Sequence, residues 1–302
     1  MNKKIEQKCS YIAILGAPNA GKSTLMNQLV GSKVSIVSPK VQTTRASVRG
    51  ICTEGDSQLI FIDTPGIFSP KKTLEKAIVK EAWRSLADAD INVLLMDARR
   101  GVCENTASII ESLKKQEKKA VLILNKVDLI NPERLLPLAK EMDEIGIFSD
   151  IFMISALKNN GVDGVKQFFL KNAKPSPWMF PEDQIMEAPI KFFAAEITRE
   201  KIFMRLQQEI PYSIAVETEK WEDKGKKGID IHQVVYVLKE GQKRIIVGKN
   251  ASMIKQIGID SRKELEYILE TKVNLFLFVK VKENWTSSPD VYREIGLELP
   301  KS

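Results

Sequence analysis

Short apolar runs alternate with amphipathic stretches through the first half of the chain. The apolar runs are of strand length and comprise Tyr11–Leu15, Gln58–Ile62, Ile91–Met96, Ala120–Leu124 and Ile151–Ile154. Segments with helical periodicity separate them, namely Thr24–Val30, Leu74–Leu86, Asn105–Lys115 and Gly161–Leu170. This alternation predicts an α/β domain with a mostly parallel sheet and helices on both faces. Val48–Thr53 is predicted to add an antiparallel edge strand.

Three prolines, Pro175, Pro177 and Pro181, interrupt this pattern. Proline continues neither a helix nor a central strand, so we expect a first domain over 1–172, a Pro-rich linker over 173–188 and a second domain over 189–302. The second half predicts a smaller α+β domain. Its predicted helices are Lys191–Gln208 and Ala251–Leu269, and its predicted strands are Tyr212–Glu219, His232–Leu238, Arg244–Val247 and Val273–Val281.

The composition excludes several classes of function. The 302 residues are 43% hydrophobic and 28% charged, and no apolar run approaches the ~20 residues of a membrane span. The chain starts without a signal-peptide core, and its three cysteines are widely spaced, so we expect a cytoplasmic protein with reduced thiols. A single histidine, His232, argues against a histidine metal cluster or a Ser-His-Asp hydrolase. The net charge of +7 suits an anionic partner but identifies none.

A phosphate-binding motif lies between the first predicted strand and helix. It matches GxxxxGK[ST] and comprises Gly16, Ala17, Pro18, Asn19, Ala20, Gly21, Lys22 and Ser23, followed by Thr24. Glycines let the backbone N–H groups face phosphate oxygens at the positive end of a helix. Lys22 is expected to reach the β- and γ-phosphates, and the Ser23 hydroxyl to bind Mg²⁺.

A second motif selects the base. Asn125, Lys126 and Asp128 follow a buried strand, and a carboxylate at Asp128 can accept hydrogen bonds from N1–H and the 2-amino group of guanine. Adenine lacks these donors, so the motif predicts GTP rather than ATP. Three residues that end the next strand are expected to approach the guanine O6, and they are Ser155, Ala156 and Leu157.

Two further segments are expected to respond to the γ-phosphate. The first closes a strand and comprises Asp63, Thr64, Pro65 and Gly66, with Asp63 near Mg²⁺ and the Gly66 N–H near the phosphate. The second is the polar segment Gln42–Arg45, in which Thr44 is the favoured Mg²⁺ ligand and Thr43 the alternative. Ile67 follows this motif, and because an apolar side chain cannot hydrogen-bond an attacking water, we expect slow intrinsic hydrolysis of ~10⁻³ s⁻¹.

The motifs GAPNAGKST, QTTR, DTPG, NKVD and SA, in this order, resemble those of the Era family of P-loop GTPases. In the second half, FPEDQ, EITREKIF, PYSIAVE, IIVGKNASMIKQIGIDSRKELE and LFVKVKENW resemble the family's RNA-binding KH module of type II. The resemblance implies a GTPase that uses GTP and Mg²⁺, binds 16S rRNA near its 3′ end and assists maturation of the 30S subunit. It also implies a mainly cytoplasmic protein with a peripheral fraction at the inner membrane. We expect it to act as a monomer.

The resemblance places an RNA-binding turn in the basic segment 239–263. The residues expected at RNA are Ile246, Val247, Gly248, Lys249, Asn250, Ala251, Lys255 and Arg262. Ala251 replaces the second glycine of the GxxG turn that KH modules press against the nucleic-acid backbone. An alanine with positive φ would be strained, so we favour Ala251 as the first residue of the following helix.

Some alternatives remain open from the sequence. Asn19 is a candidate for holding K⁺ beside the phosphates, as in some related GTPases, or simply stabilises the loop through its amide. A structural role for GTP with negligible turnover, a role in tRNA modification, and a membrane-signalling GTPase are the other functions considered. We identify no modification domain for the tRNA role and no lipidation motif for membrane signalling in the sequence.

Overall fold

The computed structural model describes residues 6–40, 43–70, 73–206, 210–283 and 285. These residues form two compact units. The first holds the described residues up to Ser35, from Ala46 to 70 and from Ile78 to Glu187; the second holds Ile36–Arg45, 73–77 and those from Ala188 onward. Gln42 of the QTTR motif, Gln208 at the predicted helix end, Asn284 and residues 286–302 lie outside the described residues.

The first unit is built on a seven-stranded sheet with the order β6-β5-β4-β1-β3-β2-β7. Its strands are β1 (Lys8–Leu15), β2 (Val48–Glu54), β3 (Ser57–Asp63), β4 (Ile91–Asp97), β5 (Ala120–Asn125), β6 (Phe148–Met153) and β7 (Met186–Glu187). Five strands run parallel, whereas β2 pairs antiparallel with β3, as the sequence predicted, and β7 pairs antiparallel with β2. The carboxyl ends of β1, β3, β4, β5 and β6 therefore meet at one edge of the sheet.

Helices cover both faces of this sheet. They are α1 (Lys22–Val30), α2 (Thr73–Ala87), α3 (Glu104–Lys115), α4 (Leu135–Asp143) and α5 (Val162–Lys171). On one face α2, α3 and α4 pack on alternate residues of β4 and β5 in one buried apolar cluster. Helices α1 and α5 contact β3 on the other face, where the rings of Phe61 and Phe169 lie 5.9 Å apart. The predicted fold class of the first domain is confirmed.

The Pro-rich segment is hydrogen-bonded to the first unit at several points, and the buried Gln58 side chain makes three of these bonds. The Gln58 amide nitrogen donates to the Phe180 carbonyl at 2.9 Å. Its amide oxygen accepts the N–H groups of Met179 and Phe180 at 2.9 and 3.0 Å. This segment is therefore bound along the sheet as far as β7.

The second unit is a three-stranded sheet with the order β10-β9-β8. It contains α6 (Ile190–Arg205), β8 (Ala215–Asp223), β9 (Ile229–Val237), α7 (Glu240–Val247), α8 (Ser252–Leu269) and β10 (Val273–Val281). Strand β9 is antiparallel to β8 and parallel to β10. The three helices share one apolar cluster with the sheet, so this domain is α+β as predicted.

The predicted strand Arg244–Val247 is wrong, because these residues end helix α7. Its β-branched residues favour a strand locally, but Gln242 caps a helix. The Gln242 side-chain oxygen accepts the backbone N–H groups of Leu238 at 2.8 Å and Lys239 at 3.2 Å. Burial of Ile246 in the apolar cluster then fixes the helix. Packing outweighs intrinsic propensity here.

None of the helices in the described ranges combines the length and apolar character needed to cross a membrane.

Candidate nucleotide and nucleic-acid sites

The phosphate motif forms the loop between β1 and α1, as predicted. Gly16 needs its bare backbone because a Cβ there would lie 2.4 Å from the Leu95 carbonyl oxygen. Gly21 has φ 103°, and a Cβ on it would lie 2.4 Å from the Asn125 amide nitrogen. The remaining predicted residues, Ala17, Pro18, Asn19 and Ala20, lie between these glycines, and Thr24 lies in the first turn of α1. The phosphate loop therefore packs closely against β4 at Gly16 and against the Asn125 side chain, at the end of β5, at Gly21.

Lys22 points into this loop. Its ammonium donates to the carbonyls of Gly16 at 3.1 Å and Ala17 at 3.2 Å. Burial disfavours the charged form and lowers the pKa of Lys22 to about 8, although the negative charge of Asp63 partly opposes the shift. Negatively charged phosphate oxygens beside this ammonium would favour its charged form.

A set of hard oxygen atoms surrounds the end of β3. The Ser23 hydroxyl donates to Asp63 Oδ2 at 2.6 Å, and the Ser35 hydroxyl donates to the same oxygen at 2.7 Å. Thr64 donates its hydroxyl to the Ile14 carbonyl at 2.7 Å, which ties the end of β3 to β1. Hydroxyl and carboxylate oxygens suit Mg²⁺, which completes its octahedron with waters and phosphates, so this set fits the metal. The sequence offered no motif for Ser35.

The DTPG segment packs directly on the phosphate loop. A Cβ on Gly66 would lie 2.9 Å from Pro18 Cα, so only glycine allows this approach. The Ile67 N–H donates to the Gly16 carbonyl at 3.2 Å. The Ile67 side chain is buried in the apolar cluster, so it cannot orient a water molecule. Pro65 lies between these contacts.

Asn125 links three parts of the site. Its buried amide nitrogen donates to the Ala20 carbonyl at 2.8 Å, and its amide oxygen accepts the Ala156 N–H at 2.9 Å. One side chain therefore holds the phosphate loop and the segment after β6 at fixed positions relative to β5. Leu157, beyond this contact, is largely exposed.

Lys126 and Asp128 complete the predicted guanine-binding part of the site. Lys126 donates its ammonium to the Asn19 carbonyl at 2.6 Å and to Asp97 Oδ2 at 2.8 Å. Hydrogen bonding from Ser155, and a weaker contribution from Lys158, holds the pKa of Asp128 below its usual value. Asp128 is therefore an ionised acceptor. Asp97 was not predicted, although it ends a buried strand in the same way as Asp63 and Asn125.

Thr44 lies in a segment, Ile36–Arg45, that groups with the second unit. The Thr43 hydroxyl is used inside the segment, where it bonds the Lys40 carbonyl at 2.8 Å and lies 2.6 Å from the Ser38 hydroxyl. Thr44 is buried, and the preference for Thr44 over Thr43 as the metal ligand stays a prediction. We refer to Ile36–Arg45 as the switch segment.

Two adjacent buried charges on α6 hold the switch segment. The Glu200 carboxylate accepts the Val37 N–H at 2.7 Å, and the Arg199 guanidinium donates to the Thr43 carbonyl at 2.5 Å. Arg199 is oriented by Glu196, which accepts from its Nε at 2.6 Å. These residues belong to the EITREKIF motif, and no separate role was predicted for them from the sequence.

Arg45 anchors the end of the switch segment. Its guanidinium donates to the carbonyls of Ile214 at 2.6 Å and Pro211 at 3.2 Å, just before β8. It also lies 6.0 Å from the centre of the Phe203 ring. The segment is therefore held at its beginning, near Thr43 and at its end.

The basic turn lies between α7 and α8. Gly248 has φ 74°, and a Cβ on it would lie 2.8 Å from Met253 Cβ. Asn250 and Ala251 also have positive φ, 51° and 58°. The prediction that Ala251 begins the helix in a helical conformation is therefore wrong: α8 begins at Ser252, and the sharp turn places two non-glycine residues in the left-handed region.

A groove of about 510 Å³ follows this turn between α8 and β10. It is lined by Ala251, Ile254, Lys255, Gly258, Ile259, Arg262, Asn274, Leu275, Phe276 and Leu277. Three predicted RNA residues, Ala251, Lys255 and Arg262, are thus brought together, while Gly248, Lys249 and Asn250 form the turn. The prediction that Ile246 contacts RNA is wrong, because its side chain is fully buried in the core. Val247, next to it, is partly buried.

The two sites define a P-loop GTPase domain joined to a KH-type domain, and comparisons with known proteins agree. The 50S ribosome-binding GTPase family matches residues 11–126, and the KH domain family matches residues 209–286. GTPase Era of Bradyrhizobium diazoefficiens is 49% identical over 294 residues, which cover 97% of this chain and 96% of that protein. The chain belongs to the Era family of GTPases.

Solved structures of relatives extend this agreement to the fold. A crystal structure of Era in complex with MgGDPNP and nucleotides 1506–1542 of 16S ribosomal RNA has a TM-score of 0.91 and 39% identity, and covers 96% of this chain and 99% of that one. A variant of Aquifex aeolicus Era bound to GDP·AlF₄⁻ has a TM-score of 0.90 and 38% identity, with the same coverage.

Proposed function

We propose that this protein is a GTP-hydrolysing switch that binds the 3′ end of 16S rRNA and assists assembly of the 30S subunit. The observation that carries the nucleotide part is the double hydrogen bond of Asn125, which joins the phosphate loop to the base-binding segment. An ionised Asp128 beside it supplies the acceptor that guanine requires and adenine cannot use.

We propose roles for the individual residues from the motifs that they belong to, and their positions support these roles. Lys22 would contact the β- and γ-phosphates, and the Gly66 N–H would contact the γ-phosphate. Ser23, Thr44 and Asp63 would hold Mg²⁺, and the metal would neutralise charge that develops on the transferred phosphoryl group. Asn19, whose backbone has φ 64° at the top of the loop, is the candidate ligand for K⁺. Equal turnover in KCl and NaCl would remove that assignment.

The hydrolytic step lacks a side chain that could orient water at the usual position, because Ile67 is buried in the core. Positioning of the phosphates by the loop then provides most of the rate, and intrinsic turnover stays slow. A partner or bound RNA would raise the rate by fixing the segments that surround the γ-phosphate.

The RNA part rests on the basic turn and its groove. The turn presents backbone at Gly248 with Lys249 beside it, and Lys255 and Arg262 line the groove that follows. A strongly similar relative was crystallised with nucleotides 1506–1542 of 16S rRNA. We infer that this chain grips the same region, with single-stranded bases in the groove and phosphates on the basic side chains.

The switch segment provides a route by which the two activities affect each other. It carries Thr44, and it is held by Arg199 and Glu200 of the same unit that contains the RNA groove. Thr43, whose carbonyl accepts from Arg199, directly precedes Thr44, so a nucleotide that moves Thr44 would be expected to alter this bond. RNA and nucleotide then alter each other's affinity by the same factor.

Turnover assays test this function. GTP hydrolysis should be slow for the protein alone and faster with an RNA that carries the 3′-end sequence, but not with a scrambled RNA of equal length. Lys22→Ala should abolish turnover, and Lys249→Ala should weaken the RNA effect only. Absence of any RNA-dependent increase would instead favour a structural nucleotide.

We further propose a cytoplasmic protein with a peripheral fraction at the inner membrane. Salt-extractable protein in washed membranes would support the peripheral fraction, and its complete absence would argue against it.

A further inference from the structure

The three-stranded sheet of the second unit has one face on the helices and one face with exposed aromatic rings. Strand alternation sends Leu277, Val279 and Val281 of β10 toward α6, α7 and α8. It sends Phe276 and Phe278 to the opposite face, where they are 42% and 53% exposed. Exposed phenylalanines at alternate positions of an edge strand are costly unless they serve a purpose.

The chain's single histidine belongs to this face. His232 of β9 pairs in register with Phe276, and the two rings are stacked with centres 4.5 Å apart and planes at 17°. The imidazole thus backs one side of the Phe276 ring and fixes its orientation. Phe278, two residues further along β10, lies about 7 Å away along the strand and can hold a separate flat group.

Cationic side chains border the rings. Lys280 follows Phe278 on the same face and pairs with Glu219 at 2.9 Å. Lys282 places its ammonium 5.3 Å from the centre of the Tyr236 ring. The face therefore offers aromatic surfaces, with the Lys282 ammonium at one end and a Lys280–Glu219 ion pair beside Phe278.

We propose that this aromatic face, formed by His232, Phe276 and Phe278, is a stacking platform for single-stranded RNA that continues from the groove. The inference rests on the proposed RNA binding. Its main support is continuity, because Phe276 lines the groove and also stands on the platform, at the edge of the sheet. A KH groove accommodates about four nucleotides, so a longer RNA must leave it.

A protein partner or a second copy fits this face less well. Two half-exposed phenylalanine rings supply roughly 200 Å² of apolar surface. A stable protein interface needs about 800 Å² from each partner. Stacking of a nucleobase needs only one ring, and aromatic residues on an open sheet are a recurrent way to bind RNA bases.

RNA length separates the platform from the groove. Binding of a four-nucleotide RNA, which fills the groove, should be compared with that of a twelve-nucleotide RNA extended at both ends. Phe278→Ala in the full chain should weaken binding of the longer RNA by about 5- to 100-fold and leave the shorter RNA unchanged. The slope of affinity against salt should stay the same, since no phosphate contact is lost.

Controls make the result specific. Tyr267→Ala removes another exposed aromatic ring, 84% exposed on α8, and should affect neither RNA. Phe278→Trp should restore binding, and its fluorescence should be quenched by the longer RNA only.

Unchanged affinity of Phe278→Ala for the longer RNA would overturn the platform, and so would equal losses for both RNAs. If Phe278→Ala lost binding to the ribosomal subunit but kept its affinity for both RNAs, the face would instead bind a protein. If the wild-type protein bound neither RNA, the proposed RNA function itself would fail.

Discussion

Replacement of Arg199 by alanine should uncouple the nucleotide from the RNA. Arg199 is 2% exposed, and its bond to the Thr43 carbonyl joins α6 to the switch segment. A buried hydrogen bond to a charged group contributes about 1.5–3 kcal/mol. If this bond differs between nucleotide states, it alone can change the RNA affinity between those states by about 10- to 150-fold.

The assay measures the affinity for 3′-end rRNA with a GTP analogue and with GDP. The ratio of the two affinities should differ from one in the wild-type protein and move toward one in Arg199→Ala. Arg205→Ala is the matched control, because it removes an arginine of the same helix that pairs with Asp260 instead. Arg199→Lys, which keeps a donor, should retain part of the coupling.

An unchanged ratio in Arg199→Ala would refute this reasoning, provided that thermal unfolding shows a folded variant. Equal losses in Arg205→Ala and Arg199→Ala would also contradict it, because the effect would then belong to α6 in general.

Three further predictions concern single residues. Burial holds the pKa of Lys22 at about 8, and the negative charge of nucleotide phosphates should raise this pKa. GTP binding should therefore take up a proton at about pH 8.5 but not at about pH 6.5. Binding heats that do not depend on the buffer at the higher pH would contradict this prediction. Asp128→Asn should prefer xanthosine to guanosine triphosphate, since an amide can donate to the added carbonyl, and a variant that still selects GTP in calorimetry would remove the base contact. Ala251→Gly should relieve ~1 kcal/mol of left-handed strain, which offsets the entropy that glycine adds to the unfolded chain, so the free energy of unfolding should not fall. The control Ala139→Gly, inside α4, should lower the free energy of unfolding by ~1 kcal/mol. Equal losses for the two variants in chemical denaturation would contradict the strain at Ala251.

The sequence predicted the nucleotide site because its parts are local motifs at the ends of strands. The phosphate loop connects one strand to one helix, and Asn125 directly follows a buried apolar run. Parallel strands bring such ends together, so motifs far apart in sequence meet without further information. Asp97 could have been found by the same rule, as the polar residue that ends β4.

Other features depend on packing that no local pattern reports. The residues at 244–247 favour a strand by composition, but Gln242 and the burial of Ile246 make them a helix. The turn forces Ala251 to positive φ, although its side chain suits a helix. Local preference and tertiary structure disagree at this turn, which is where strain is expected at a binding site.

Long-range contacts were the least predictable. The Arg199–Thr43 bond joins residues 156 positions apart, and the Val37–Glu200 bond joins residues 163 apart. Charges on an amphipathic helix ordinarily face solvent, so nothing in the sequence of α6 distinguished these two. Their burial is visible only in the fold.

Calorimetric titration of the purified protein with GTP and with ATP, at matched Mg²⁺, tests the central claim most directly. The arrangement of Asn125 and Asp128 predicts that GTP binds roughly 10⁴-fold more tightly, the discrimination expected of a site built to hydrogen-bond its substrate. Equal affinity for the two nucleotides would contradict the assigned base site and the guanine-dependent switch that depends on it.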